Sequence, residues 1–386
     1  MSSRPADPAP ALFLCLFAVQ AGVIALSPVL AQVAADFGVS TAAAGQLRSV
    51  SGLVAGFSAV AMGRLSGRLG LRELLIAGLS ILAGGSLLSA ASPTFAVLAV
   101  AQVAVGVGLA MVLSGGLAAA AEWSLPEHRA RVLSWALLGQ PVAWIVGMPV
   151  IGLLGDVSWR WGWVAVPFLA SAVALAAVAM RQGDERPEPP VGAWRQLVED
   201  RRVAGWALSE LFAWSAWAGA LVYAGALFVE SYDVSTGTAG LLLGAAAVAY
   251  LPGNLLARGH VETSARQLLL AMPPIAAVLV ALFGVYRPAV GFSAATLAVL
   301  ATFSAARTIA GSAYGLQVCA QRRVFAMRIR TAANQFGYLL GSALGGLALA
   351  VGGYAALGVT FGVLFALSAL PYAVSLLVDR STSAAG

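Results

Sequence analysis

Stretches of about 20 predominantly apolar residues, the length that carries a helix across a bilayer, recur along almost the whole chain. Short breaks bearing Arg, Pro, Asp or Gly separate them. The pattern predicts spans near residues 11–31, 45–66, 73–91, 94–120, 132–154 and 161–180, then near 204–229, 236–257, 267–286, 289–316, 331–352 and 355–378. The mean hydropathy is +0.88 over 386 residues, and 10% of them are charged. A soluble body on one anchor would dilute that anchor toward the ordinary value of about 25% charged. The expected fold class is therefore all-α integral membrane, with 12 transmembrane helices. The first run has the outline of a secretory leader, with Arg4 ahead of it and small residues from Ala31 to Ala35 behind. Eleven further spans follow, so it is expected to be the first span.

All 22 basic side chains are arginines, and lysine is absent. Without lysine, retinal or pyridoxal Schiff-base chemistry and a Walker-type phosphate site are excluded. The two histidines, His128 and His260, fall in predicted loops, which excludes bis-histidine haem within the spans. Cys15 and Cys319 are too few for a thiolate metal site or a disulfide framework. No cofactor is expected. The sequence pI of 9.8 does not indicate a nucleic-acid partner, because the positive charge is spread among loops and not gathered on one face.

Topology accounts for the charge. Cytoplasmic termini place Arg4, Arg64, Arg68, Arg72, Arg129, Arg131, Arg181, Arg186, Arg195, Arg201, Arg202, Arg258, Arg266, Arg322, Arg323, Arg328, Arg330 and Arg380 inside. Arg160 and Arg287 alone fall in outer loops, while Arg48 and Arg307 lie within spans. This asymmetry predicts a multi-pass protein of a bacterial cytoplasmic (inner) membrane with both termini cytoplasmic.

The longest break runs from Arg181 to Val203 and contains Asp184, Glu185, Arg186, Pro187, Glu188, Pro189 and Pro190, a composition that cannot build a packed core. Trp194, Leu197 and Val198 then share one helical face opposite Arg195, Glu199 and Arg201, which predicts a short surface helix. The expected organisation is an N-terminal six-helix bundle over 1–180, a cytoplasmic linker over 181–203 and a C-terminal six-helix bundle over 204–386. The fifth span carries Gly139, Gly147, Gly152 and Gly155, and the eleventh carries Gly337, Gly341, Gly345 and Gly346 at equivalent places. Small residues three to four apart let helix backbones approach closely in lipid. The two bundles are therefore expected to be pseudo-symmetric, with these glycines serving helix packing.

Between spans 2 and 3 the chain reads Gly63-Arg-Leu-Ser-Gly67-Arg68-Leu-Gly70-Leu71-Arg72. This resembles the loop motif of major facilitator superfamily transporters of the twelve-span drug:proton antiporter type, in the sugar, nucleoside and drug efflux branch. The family's Asp is Gly67 here, and one of its basic positions is Leu71. A second likeness runs through Pro126-Glu-His-Arg129-Ala-Arg131, Gly147-Met-Pro149-Val-Ile-Gly152 and Trp159-Arg160-Trp161. The family's fourth-span arginine, tied to proton coupling, is Gln102 here, ahead of Gly106 and Gly108. The resemblance implies the major facilitator fold, a gating role for Gly63, Arg68, Gly70 and Arg72, a packing role for Pro149, and a cavity lined by spans 1, 4, 7 and 10. Proton coupling, if it occurs here, is expected to rest on residues other than the fourth-span position.

An ionised side chain inside a bilayer costs several kcal/mol, so such residues are functional candidates. Glu210 lies about 7 residues into span 7, and Arg307 about 9 residues from the cytoplasmic end of span 10; at 1.5 Å per residue both sit roughly 10–14 Å deep. They are the candidate proton-coupling pair, with a permanent packing pair as the alternative. Helical spacing adds Trp214 and Trp217 around Glu210, and Phe303 and Tyr314 around Arg307. Gln20, Gln102 and Gln140 are further candidates for binding substrate, with helix–helix hydrogen bonding as their alternative. Arg48 is a candidate for an anionic substrate, or else snorkels to water near the outer surface.

These residues suit a secondary active transporter, expected to export a small amphipathic organic compound against proton entry by alternating access. An importer or facilitator of an organic anion is one alternative, and a non-transporting membrane sensor or assembly protein on the same fold is another. No span holds a catalytic constellation, so an enzyme is not expected. The expected partners are a small-molecule substrate, protons and the lipid bilayer, with the protein a monomer.

Overall fold

A computed structural model describes residues 7–65, 69–125, 127–181, 200–258, 261–320 and 323–384. The surface helix expected near Trp194, most of the linker, and Arg68 lie outside them. The described residues are helices joined by short turns. In chain order we label them α1 (Ala9–Ile24), α2 (Thr41–Leu65), α3 (Leu71–Ala90), α4 (Phe95–Glu122), α5 (Arg131–Gly155), α6 (Trp159–Ala179), α7 (Arg201–Tyr232), α8 (Thr236–Ala257), α9 (Ser264–Val285) and α10 (Val290–Val318). The last helical stretch, Arg323–Ala384, is broken at Gly352 and Gly353, which divides it into α11 (323–351) and α12 (354–384). Among the described residues, α3–α10 and the Ile329–Val374 stretch are each long and apolar enough to cross a membrane. With the shorter α1 and the 25-residue α2, the helices are consistent with twelve spans.

Several helices run past their apolar cores. α2 begins at Thr41, α7 at Arg201 and the helix of α11 at Arg323, each earlier than hydropathy places the span. The backbone ladder continues into polar sequence because water tolerates a helix as well as lipid does. At Gly353 the chain takes φ 64° and ψ −159°, a region open to glycine alone, and so turns from α11 into α12 without a loop. Prolines leave local signatures. α5 widens to a π turn over Ala143–Gly147 just before Pro149, and α6 does so over Val164–Phe168 around Pro167. Each ring lacks an N–H and crowds the preceding turn, so the helix takes up an extra residue there.

The chain divides into two compact units: Met1–Pro190 with Asp233–Gly244, and Val191–Tyr232 with Ala245–Gly386. In the first unit, side chains at Gly106 and Gly108 would collide with the Ser51 carbonyl of α2 and with Leu82 of α3, so these glycines set how closely α4 is clasped. Gly152 lies against Gly240, and Gly244 against the Pro149 ring. Gly147 sits beside Ile24 and Val166. In the second unit, Gly337 faces the Trp214 backbone, Gly341 the Ser215 carbonyl and Gly219, and Gly345 the rings of Tyr223 and Phe361. α11 thus lies nearly backbone-to-backbone along α7.

The Trp-Arg pair at the start of α6 ties that end of the helix to the segments after α1 and α3. Trp159 Nε1 and Arg160 Nη1 both donate to Asp36 Oδ2, at 2.9 and 2.6 Å, and Arg160 Nη2 donates to the Ser92 carbonyl. The Arg160 guanidinium also stacks 4.4 Å over the Trp159 ring. The hydrogen bond from Trp159, then that from Arg160, holds the Asp36 carboxyl below the usual carboxylate range. A depressed carboxylate contributes stability above its unfolded value and loses it as pH falls through the folded one. With Asp36 about 42% exposed, the pair is worth about 0–1 kcal/mol. Asp36→Asn is therefore expected to lower Tm by at most about 1–2 °C at neutral pH and by nothing in acid, where Asp36 is protonated anyway. Thermal unfolding of the detergent-solubilised protein across pH checks this, and a deficit that persists unchanged in acid would contradict it.

Candidate functional site

Glu210 stands on α7 and Arg307 on α10, and the structure brings them together. Arg307 Nη1 donates to Glu210 Oε1 at 2.5 Å, with the two side chains 2% and 0% exposed. Arg307 Nη2 donates to Ser209 Oγ at 2.7 Å, and Ser209 in turn donates to the Ser368 carbonyl of α12 at 2.6 Å. The guanidinium is thus held by two successive residues of α7 and is fixed in rotation. A second cation reaches the carboxylate from α11, Arg330 Nε lying 3.9 Å from Glu210 Oε2.

Glycines on α10 make this approach possible. A Cβ at Gly311 would fall on Glu210 Oε1 and 3.3 Å from Arg307 Nη1, and one at Gly315 would fall on the Trp206 indole. Trp206 Nε1 donates to the Gly311 carbonyl at 2.8 Å, so Trp206 and Glu210, one turn apart on α7, dock onto Gly315 and Gly311, one turn apart on α10. Gly311→Ala is expected to displace the carboxylate and reduce transport by about tenfold or more. Overpacking of this kind costs about 1–3 kcal/mol, offset in part by the better helix propensity of alanine. Flux in proteoliposomes beside a Tm measurement tests this; wild-type flux from Gly311→Ala would show that carboxylate placement does not matter.

Aromatic groups surround the pair. Trp214 and Trp217 are buried on the α7 face that carries Glu210, and the Trp217 and Tyr250 rings lie 5.9 Å apart. Tyr250 of α8 hydrogen-bonds with Thr308, the residue after Arg307. Tyr314 packs edge-on to Tyr372 at 5.2 Å, within the core that includes Leu269. Tyr314 is therefore part of the packing behind the pair. Phe303 is half-buried one turn before Arg307.

The remaining candidates lie in the first unit. Arg48 is the eighth residue of α2 and 1% exposed, so it does not snorkel to water; its Nη1 donates to Ser51 Oγ at 2.7 Å, in the turn where Gly106 admits α4. Gln102 is buried and donates to Ser89 Oγ at 3.1 Å, a bond that joins α4 to α3. Gln20 is buried on α1, and Gln140 is half-buried on α5. Gly63 lies in the last turn of α2. Gly70 caps α3, its N–H meeting Glu73 Oε2 at 3.4 Å, while Arg72 Nη2 donates at 2.7 Å to the Ala179 carbonyl at the end of α6. A cation there satisfies the negative end of that helix.

The family model described as Major Facilitator Superfamily matches residues 12–317. The chain belongs to the Major Facilitator Superfamily. Solved structures show the same fold over nearly the full length of this superfamily member. The D-xylose–proton symporter superposes with a TM-score of 0.76 at 18% identity, covering 94% of this chain and 96% of that one. A bacterial homologue of the human lysosomal transporter Spinster, inward-facing and occupied, gives 0.77 at 13% identity, covering 97% and 98%. Among curated relatives, a chloramphenicol efflux pump of Mycobacterium tuberculosis is 31% identical over 185 residues, 46% of this chain and 44% of the relative. The chloramphenicol resistance protein CraA of Acinetobacter baumannii is 32% identical over 164 residues, 42% and 39% of the two. The aligned stretch spans less than half the length of either relative.

Ser209, Arg330, Gly311, Gly315, Trp206 and Tyr250 belong to the site of this superfamily member but do not stand out in its sequence. Arg330 alone left a signal, since it precedes the apolar run of α11 by one residue, and a helix begun at Arg323 carries it about 10 Å along the axis.

Proposed function

We propose that this transporter is a proton-coupled exporter of a small amphipathic organic compound, resident in a bacterial cytoplasmic membrane with its termini inside and working by alternating access. The observation that carries the reading is the buried Glu210–Arg307 pair, in which one protonatable carboxylate is held by a guanidinium and walled by Trp214 and Trp217. Protonation of Glu210 would neutralise its half of the pair and release Arg307 from one oxygen, an exchange that links proton binding to rearrangement of α7 against α10. Relatives named for chloramphenicol efflux and resistance support an amphipathic organic cargo moving outward.

Proton flux in proteoliposomes holding a pH-sensitive dye tests the reading. Chloramphenicol, nucleosides, sugars and organic acids form the challenge panel. A substrate-evoked pH change is expected for at least one amphipathic compound. Labelled compounds that equilibrate while no compound moves protons would replace coupling with facilitated diffusion.

A further inference from the structure

The charges around Glu210 do not balance. One carboxylate faces two guanidiniums, Arg307 at 2.5 Å and Arg330 at 3.9 Å, and among the described residues no second carboxylate pairs with either. The cluster therefore carries one net positive charge with Glu210 ionised. Arg330 is about 25% exposed and so partly hydrated, while Arg307 is buried; unbalanced charge at such a site is costly in proportion to its burial and favours a counter-ion or hydrogen-bonded partners.

In the crevice beside the pair the unused hydrogen-bonding groups are mainly donors. Beside the pair, Trp214, Trp217, Ser304, Arg307 and Thr308 line a crevice with room for about one water molecule. Three of its groups are buried without a hydrogen-bond partner: Nε1–H of Trp214, Nε–H of Arg307 and the hydroxyl of Ser304. The first two are donors only. On the far side of the carboxylate Arg330 Nε–H and Glu210 Oε2 face each other at 3.9 Å without a hydrogen bond, so the unsatisfied donors of the crevice are those around Arg307. No carboxylate lines the crevice. A donor-lined space of this size beside excess positive charge takes an acceptor, and a charged one best.

We propose that the crevice beside Arg307 binds a small monovalent anion, either a free halide or the anionic end of the transported molecule. The proposal is independent of whether Glu210 carries a coupled proton, since it concerns the balance of charge and donors at equilibrium. Its electrostatics have a sign that a purely structural role lacks. Removing the charge of Glu210 should tighten anion binding, and removing that of Arg330 should weaken it.

The test uses the full chain purified in detergent, titrated with sodium chloride against sodium gluconate at constant ionic strength and followed by thermal unfolding. A saturable, chloride-specific rise in Tm is expected. In Glu210→Gln the half-saturating chloride concentration should fall by about tenfold, and in Arg330→Gln it should rise by about tenfold or the effect should vanish. Arg330→Gln keeps the 2.5 Å pair, and Trp214→Phe deletes a single donor and should weaken chloride several-fold, so these two decide the matter should Glu210→Gln fail to fold. Sodium benzoate identifies the source: if it raises Tm and competes with chloride, the occupant is the carboxylate of a cargo molecule, and if chloride acts alone, the occupant is the free ion. Equal curves in chloride, benzoate and gluconate would overturn the proposal. Weakening in Glu210→Gln as large as that in Arg330→Gln would overturn it as well. A failed proton-flux assay beside a positive chloride titration would remove the coupling reading and leave the anion site standing.

Discussion

Glu210→Gln is expected to abolish substrate-evoked proton movement and to cut uphill substrate flux by at least about tenfold, the equivalent of roughly 1.4 kcal/mol, while leaving downhill equilibration in place. Glutamine keeps an oxygen for Arg307 Nη1 and nearly the same volume, so α7 and α10 retain their main hydrogen bond. What is lost is the ability to exchange a proton. The expected signature is therefore a flat pH profile between mildly acid and alkaline buffers, where the wild-type protein shows a slope. An unchanged rate and an unchanged slope in the variant would remove Glu210 from the coupling role.

Arg307→Met is expected to destabilise the protein strongly, and combining it with Glu210→Gln is expected to recover most of the loss. Breaking a buried ion pair from one side costs about 3–5 kcal/mol because the other charge is left without compensation. Arg330, 3.9 Å from the second carboxylate oxygen, is placed to take up part of the charge and moves the expectation toward the lower end. The double variant leaves no orphaned carboxylate, and its apolar replacement at 307 suits an interior with little water. Thermal unfolding of the two variants in detergent measures the difference. Equal Tm values for the single and the double variant would mean that the pair contributes nothing as a pair. The double variant should regain stability without regaining transport, which separates the chemistry of the pair from its packing.

Much of the architecture was legible because a bilayer imposes a length and an apolar composition on each helix, and these are one-dimensional properties. The pairing of Glu210 with Arg307 was legible for a related reason: depth follows from counting residues at a fixed rise, and two charges at one depth in spans expected to line the same cavity seek each other. Rotation about a helix axis and the directions of long side chains are not one-dimensional. Arg48 reads as a snorkelling residue near the outer surface, yet Gly106 draws α4 against its helix and it is buried beside Ser51. Gln102 reads equally as a substrate ligand or a tie between helices, and only the structure shows one of its N–H groups given to Ser89. Tyr314 follows Arg307 at helical spacing but turns toward Tyr372. Arg330 belongs by charge to a cytoplasmic loop, and a helix that continues through polar sequence takes it inward. Gly311 and Gly315 carry no chemistry of their own, so their value depends on the Glu210 and Trp206 side chains that meet them.

The helix that carries Glu210 is nearly sealed from lipid. Of the most apolar stretch of α7, 89% lies inside the protein, against 33% for that of α9. Hydrophobic mismatch acts where a helix faces acyl chains, so a thicker or thinner membrane strains α9 and reaches Glu210 only through other parts of the protein. Adaptation to a host with different acyl-chain lengths can then proceed on outward-facing helices such as α9 while the machinery on α7 is left untouched.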